Sequence, residues 1–142
     1  MSAVRLVAVF AENKPGQTAR ITKILADANI NIRWVTIATS GGFGVMKFLV
    51  SDCDLAYQAF KHQGFVASLM EVLAVEVRDQ AGALQAVAEC LARNGINLEN
   101  TSGFVANHRA VLVIEVHELA QARAVLAAQG LRVLTEAEML NL

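Results

Sequence analysis

Hydrophobic positions along this chain switch between two periods, and each switch marks an element. Val4–Glu12 is an apolar, β-favouring run and predicts a strand. Asn13-Lys14-Pro15-Gly16 then breaks the run with turn chemistry. From Gly16 to Ala28 the apolar residues Ile21, Ile24, Leu25 and Ala28 fall at i, i+3, i+4 and i+7, one face of a helix. Asn31–Thr39 predicts a second strand, Ser40-Gly41-Gly42 a hairpin turn, and Phe43–Ser51 the returning strand. Asp52 is placed to cap a helix running to His62, with Ala56, Ala59 and Phe60 on its apolar face. Gln63-Gly64 ends that helix, and Phe65–Met70 predicts a last strand.

The same order then returns. Sliding the chain by 66 positions, without a gap, superposes Gly16 on Gly82, Leu25 on Leu91, Ile30 on Ile96, Asn31 on Asn97, Val45 on Val111 and Gly64 on Gly130. A single register over nearly the whole length reads as a duplication. The second copy predicts strands at Glu71–Asp79, Asn97–Val105, Ala110–Val116 and Leu131–Thr135. Its helices are expected at Gly82–Asn94 and Leu119–Ala128, with Glu136–Leu142 as a tail. Each copy is βαββαβ. The expected fold class is therefore α+β: two ferredoxin-like sandwiches in tandem, antiparallel sheets with helices on one face. The expected domains are residues 1–70 and 71–142. A unit of this size is marginal alone, and no flexible linker separates Met70 from Glu71, so the halves are expected to pack on each other.

Composition narrows the function. With 55% hydrophobic and 18% charged residues, the 142-residue chain is core-rich rather than disordered. A net charge of −1 with scattered Lys and Arg argues against a nucleic-acid partner. Charged residues interrupt each apolar run before membrane-spanning length, and the N-terminus lacks signal-peptide order, so a cytoplasmic protein with no membrane partner is expected. Cys53 and Cys90 fit a reducing compartment, and no metal-ligand spacing joins them to His62, His108 or His117. No metal or other cofactor is expected.

Strand, Glu12-Asn13-Lys14-Pro15-Gly16, and a helix ending Ala28-Asn29-Ile30-Asn31-Ile32 together resemble the ACT domain, a βαββαβ module that binds amino acids and regulates metabolic enzymes. The first copy is most similar to the serine-sensing modules of bacterial phosphoglycerate dehydrogenases. Ala11 stands where those carry a histidine, so serine itself is not assigned. The second copy, Asp79-Gln80-Ala81-Gly82-Ala83-Leu84 followed by Gly95-Ile96-Asn97-Leu98, resembles the commoner Asp-x-Pro-Gly-x-Leu form, with Ala81 in place of proline.

The resemblance implies a stand-alone regulatory protein, not an enzyme, that senses a free amino acid where modules meet. It further implies a homodimer and a partner metabolic enzyme or transporter. Carried over by position, Asn13 and the Pro15 turn present the ligand loop. The backbone amides of Gly16, Gln17 and Thr18 face the ligand carboxylate, and Asn31 reaches in from a neighbouring module. In the second copy Asp79 accepts from the ammonium, Gly82, Ala83 and Leu84 form the helix start, and Asn97 stands opposite. The physics agrees: a helix N-terminus attracts a carboxylate, and an amide side chain both donates and accepts.

Plainer roles stay open for each residue. Pro15-Gly16 also serves as an ordinary turn, Asp79 as a helix cap, and Asn31 and Asn97 as partners for backbone groups. The rival reading is a scaffold whose modules assemble without binding a ligand. A small enzyme on this fold is the third, and no nucleophile motif with a nearby base supports it.

Overall fold

The computed structural model describes residues 3–142, which form two compact units. One is Arg5–Met70; the other is Glu71–Leu142 together with Ala3 and Val4. In the first, β1 (Val4–Glu12), α1 (Gln17–Asp27), β2 (Ile32–Ser40), β3 (Phe43–Val50) and α2 (Cys53–His62) follow in order. β3 lies between β2 and β1 and pairs antiparallel with both, Ser40 and Glu12 each opposite Phe43. The two-residue loop Gly41-Gly42 closes the β2–β3 hairpin, with Gly41 at φ +59°. Asp52 caps α2, its carboxylate accepting from the Leu55 N–H at 3.0 Å.

Alternation on the strands sets the core. Val7, Val9 and Ala11 of β1 and Met46, Phe48 and Val50 of β3 point to one face, where Ile21 and Leu25 of α1 and Ala56 and Phe60 of α2 meet them. Burying each large member contributes about 1.5–3 kcal/mol, so this face holds the helices to the sheet.

β4 (Val66–Val77) spans the stretch where the alternation predicts two strands. No Gly, Pro or turn residue interrupts it at Met70-Glu71, so nothing ends the first strand before the second begins. The second unit continues with α3 (Ala83–Arg93), β5 (Asn100–Ala106), β6 (Arg109–Glu115), α4 (Leu119–Ala128) and β7 (Arg132–Leu134). β4 pairs antiparallel with β6 and with β7, and β5 pairs with β6. The within-unit strand order is therefore β5-β6-β4-β7, that of a ferredoxin-like sandwich. Its core repeats the first: Leu73, Val75, Ile114, Val87, Leu91, Ala122 and Leu126.

Most elements begin or end within one residue of the predicted bounds, and β5 and the tail depart further. β5 begins at Asn100 rather than Asn97, because the ladder to β6 opens only with the Glu99 N–H donating to the Glu115 carbonyl. β7 is shorter than Leu131–Thr135. The tail carries a helix, α5 (Glu136–Leu140), started by a capping box between Thr135 and Glu138.

Candidate functional site

The loop of the first copy is a tight turn. The Gln17 N–H donates to the Lys14 carbonyl at 3.3 Å, and Gly16 takes φ +85°, ψ −11°. Proline followed by a left-handed glycine is the type II arrangement. Asn13 ties this turn to the hairpin: its backbone N–H donates to the Gly42 carbonyl at 2.9 Å and its side-chain amide to the Gly41 carbonyl at 3.2 Å. The amide oxygen is left to accept. No side chain caps α1, so N–H groups of its first turn stay available to a ligand. Gln17 spends its N–H on the turn and buries its side chain, whereas Thr18 is exposed.

The second copy makes the same turn without proline. Ala83 donates to the Gln80 carbonyl at 3.3 Å, Gly82 takes φ +90°, ψ −5°, and α3 likewise has no side-chain cap. Glycine alone thus suffices for the geometry. Because the first copy accommodates proline at this position, Ala81→Pro is expected to stabilise the protein by about 0.4–1 kcal/mol through the unfolded chain. A rise in the urea midpoint checks it; a fall would mean that the two turns are not interchangeable.

Asn13, Pro15, Gly16, Gln17 and Thr18 therefore sit together, as do Asp79, Gly82, Ala83 and Leu84. Asn31 and Asn97 do not join them within their own units. α1 has 11 residues, about 16 Å at 1.5 Å per residue, and it carries the chain from the Gly16 turn to the far end of the sheet. There Asn31 and Ser51 clasp the starts of β2 and α2: the Asn31 N–H donates to Ser51 Oγ and the Ser51 N–H to the Asn31 carbonyl, both at 3.0 Å. Asn31 also lines a cleft of about 450 Å³ beside α1.

The sequence reading missed a charged cluster in the second unit. Glu76 Oε1 accepts from Arg109 Nη2 at 2.6 Å and Nε at 3.2 Å, and from Arg132 Nη1 at 3.4 Å. Arg132 also pairs with Glu138 of α5. Strand register makes the cluster: Glu76 stands opposite both Val111 on β6 and Arg132 on β7. The Arg109 hydrogen bond above all holds the Glu76 carboxyl below its ordinary value of 4.5, and Glu76 in turn raises Arg109. Glu138 is lowered as well, chiefly by the Thr135 N–H.

A carboxyl lowered on folding adds stability that is complete above its unfolded pKa and is lost as pH falls through the folded one. Glu76→Gln is therefore expected to lower the melting temperature near neutral pH. The gap to wild type should close as the solution is acidified below pH 4.5. A gap independent of pH would leave the Glu76 charge without a role.

A signal for this cluster lay in the repeat. The shift of 66 places Phe10, Phe43 and Val66 on Glu76, Arg109 and Arg132. Three apolar residues become three charged ones of complementary sign, which marks one shared location. In the first unit those three side chains are exposed, and Phe10 and Phe43 line a shallow apolar cleft with Ala38 and Val45. The histidines are exposed, while Cys53 and Cys90 are buried and not joined in a disulfide. Among the described residues no three His, Cys, Asp or Glu side chains cluster to hold a metal, and no helix is long and apolar enough to cross a membrane.

Comparison with known proteins places this geometry. The chain belongs to the ACT domain pair family, whose model matches residues 1–142. Comparison with curated proteins returns no match. Among solved structures, protein BT0572 from Bacteroides thetaiotaomicron is 29% identical, with 99% of this chain and 98% of that one covered and a TM-score of 0.92. The regulatory subunit of aspartate kinase from Thermus thermophilus is 16% identical over 89% and 93% of the two chains, with a TM-score of 0.63. Its counterpart from Thermus flavus is 18% identical over 90% and 94%, with a TM-score of 0.62. These two likenesses are of fold.

Proposed function

We propose that this protein is a cytoplasmic regulatory receptor for a free amino acid rather than an enzyme. The effector sits where the Asn13–Thr18 loop of one ACT module faces the start of the second strand of another, at Asn31 or Asn97. The Asp79–Leu84 loop makes the pseudo-equivalent site. One observation carries the reading: both copies of an ACT domain pair hold the same left-handed glycine turn before a helix with no side-chain cap. Such a terminus offers N–H donors and a positive field to a carboxylate, with Asn13 or Asp79 beside it to accept from an ammonium.

Asn13 and Asn31 stand at opposite ends of their own unit, so a ligand touching both needs a second module. A homodimer supplies one, and β2, which among the described residues pairs with β3 on one side, offers its other edge for pairing. Ligand binding favours one packing of the modules by about 1–3 kcal/mol, which a partner enzyme or transporter reads. The aspartate kinase regulatory subunits supply the analogy for a metabolic enzyme in that role.

Titration calorimetry and thermal shift against the standard amino acids test this, since a ligand at about 100 times its Kd adds about 2.7 kcal/mol. Asn13→Ala and Asn31→Ala are each expected to weaken binding about tenfold without unfolding the protein. Unchanged affinity in both would move the site. If no amino acid binds at millimolar concentration, the assembly-scaffold reading takes its place. The exposed side chains of Val35, Ile37, Phe43 and Val66 favour that alternative.

A further inference from the structure

The turn that carries Asp79 opens into a cleft of about 370 Å³ that lies wholly within the second unit. Arg78, Asp79 and His108 line it together with Glu76, Arg109 and Arg132. Glu76, Arg109 and Arg132 are committed to one another, and Glu138 takes the remaining side of Arg132. Arg78 and Asp79 are not committed: neither side chain makes an ion pair or hydrogen bond among the described residues. The cleft therefore presents one unspent guanidinium and one unspent carboxylate, adjacent in sequence, before a wall of charges already satisfied. That is the complement of a zwitterion.

We infer that this cleft binds a free α-amino acid with a polar, hydrogen-bonding side chain. Arg78 takes the α-carboxylate, Asp79 the ammonium, and the Arg109–Glu76–Arg132 wall the side chain. An aliphatic or aromatic side chain is rejected, because seating it there strips water from three charged groups and returns no hydrogen bond. The cleft belongs to the second copy alone. In the first copy the shift of 66 puts Phe10, Glu12, Phe43 and Val66 where Glu76, Arg78, Arg109 and Arg132 stand. The carboxylate-binding cation is replaced by an acid and the polar wall by exposed apolar side chains. The tandem is thus asymmetric: one copy reads a polar amino acid with its own residues, and its twin does not.

The inference rests on the amino-acid reading above, and the experiment separates the two. Titration calorimetry of the whole protein uses the standard amino acids in turn, on wild type, Arg78→Ala and Asp79→Asn. The His108 ring resonances serve as a local reporter. Polar amino acids are expected to bind and to shift the His108 signals. Arg78→Ala and Asp79→Asn should each weaken that binding about tenfold or more. Both altered side chains are exposed and unpaired, so melting curves are expected to match wild type.

If amino acids bind but Arg78→Ala and Asp79→Asn leave affinity unchanged, the cleft is overturned while the receptor survives. The same holds if leucine, valine or phenylalanine shifts His108 more than any polar amino acid does. Should none of the standard amino acids bind wild type, both readings fall together.

Discussion

Phe60→Ala is expected to destabilise the protein by about 3–5 kcal/mol. Phe60 is fully buried on α2, and its ring stacks on that of Phe48 with centroids 6.1 Å apart and 28° between planes. Val9, Ile21 and Leu25 share the cluster. All three stand on a strand or a helix held by its own backbone hydrogen bonds, so none is free to collapse into the space the ring leaves. The loss combines the transfer energy of the ring, the unfilled cavity and the contact with Phe48, the last worth about 0.5–1.5 kcal/mol. Domains are stable by about 5–15 kcal/mol in all, so the variant should unfold at a much lower urea midpoint with an unchanged slope. A loss below about 1 kcal/mol would mean that the first core is loosely packed.

Leu126→Ala, at the equivalent position of the second copy, is expected to cost about 2–5 kcal/mol. Leu126 is fully buried on α4, and the residue matching Phe48 is Ile114, also fully buried. The side chain is smaller and has no aromatic partner, so the cost should be the lesser of the two. The Leu126 carbonyl accepts from the Leu131 N–H at 3.2 Å, which leads the chain into β7. Alanine keeps that bond, so the expected loss is packing alone. Hydrogen exchange in β4 and β6 reads it locally: unchanged protection there, with a lowered global midpoint, would contradict a core centred on Leu126.

That two variants 66 positions apart can be ranked in advance shows what was legible. Apolar periodicity located α1 to α4 to within one residue at each end, because Gly16, Asp52 and Gly82 stop or start the backbone locally, while the short α5 was read only as a tail. The buried partners Leu25 and Leu91, Ala56 and Ala122, Phe60 and Leu126 were implicit in the repeat. What escaped were features with no local punctuation. Met70-Glu71 carries no breaker, so a strand runs through a boundary that only the repeat marks. The Glu76–Arg109–Arg132–Glu138 cluster joins residues far apart in sequence through strand register, which no window along the chain contains. At the loops, residue types pointed to the turn, yet not to Asn13 fastening itself on Gly41 or to Gln17 turning inward. Those outcomes depend on where the hairpin and the core lie.

Gly82 holds at φ +90° the path that Gly16 holds at +85° behind a proline. The invariant of this loop is thus a dihedral angle, and only the glycine is needed to reach it. A search pattern that insists on proline would find one module in this chain and overlook its twin. For an ancestral duplication the same fact is a licence to diverge. With the backbone trajectory secured by one residue, Glu12 and Arg78, Asn13 and Asp79, and Pro15 and Ala81 were free to drift apart. Two loops of the same shape thereby came to present different chemistry.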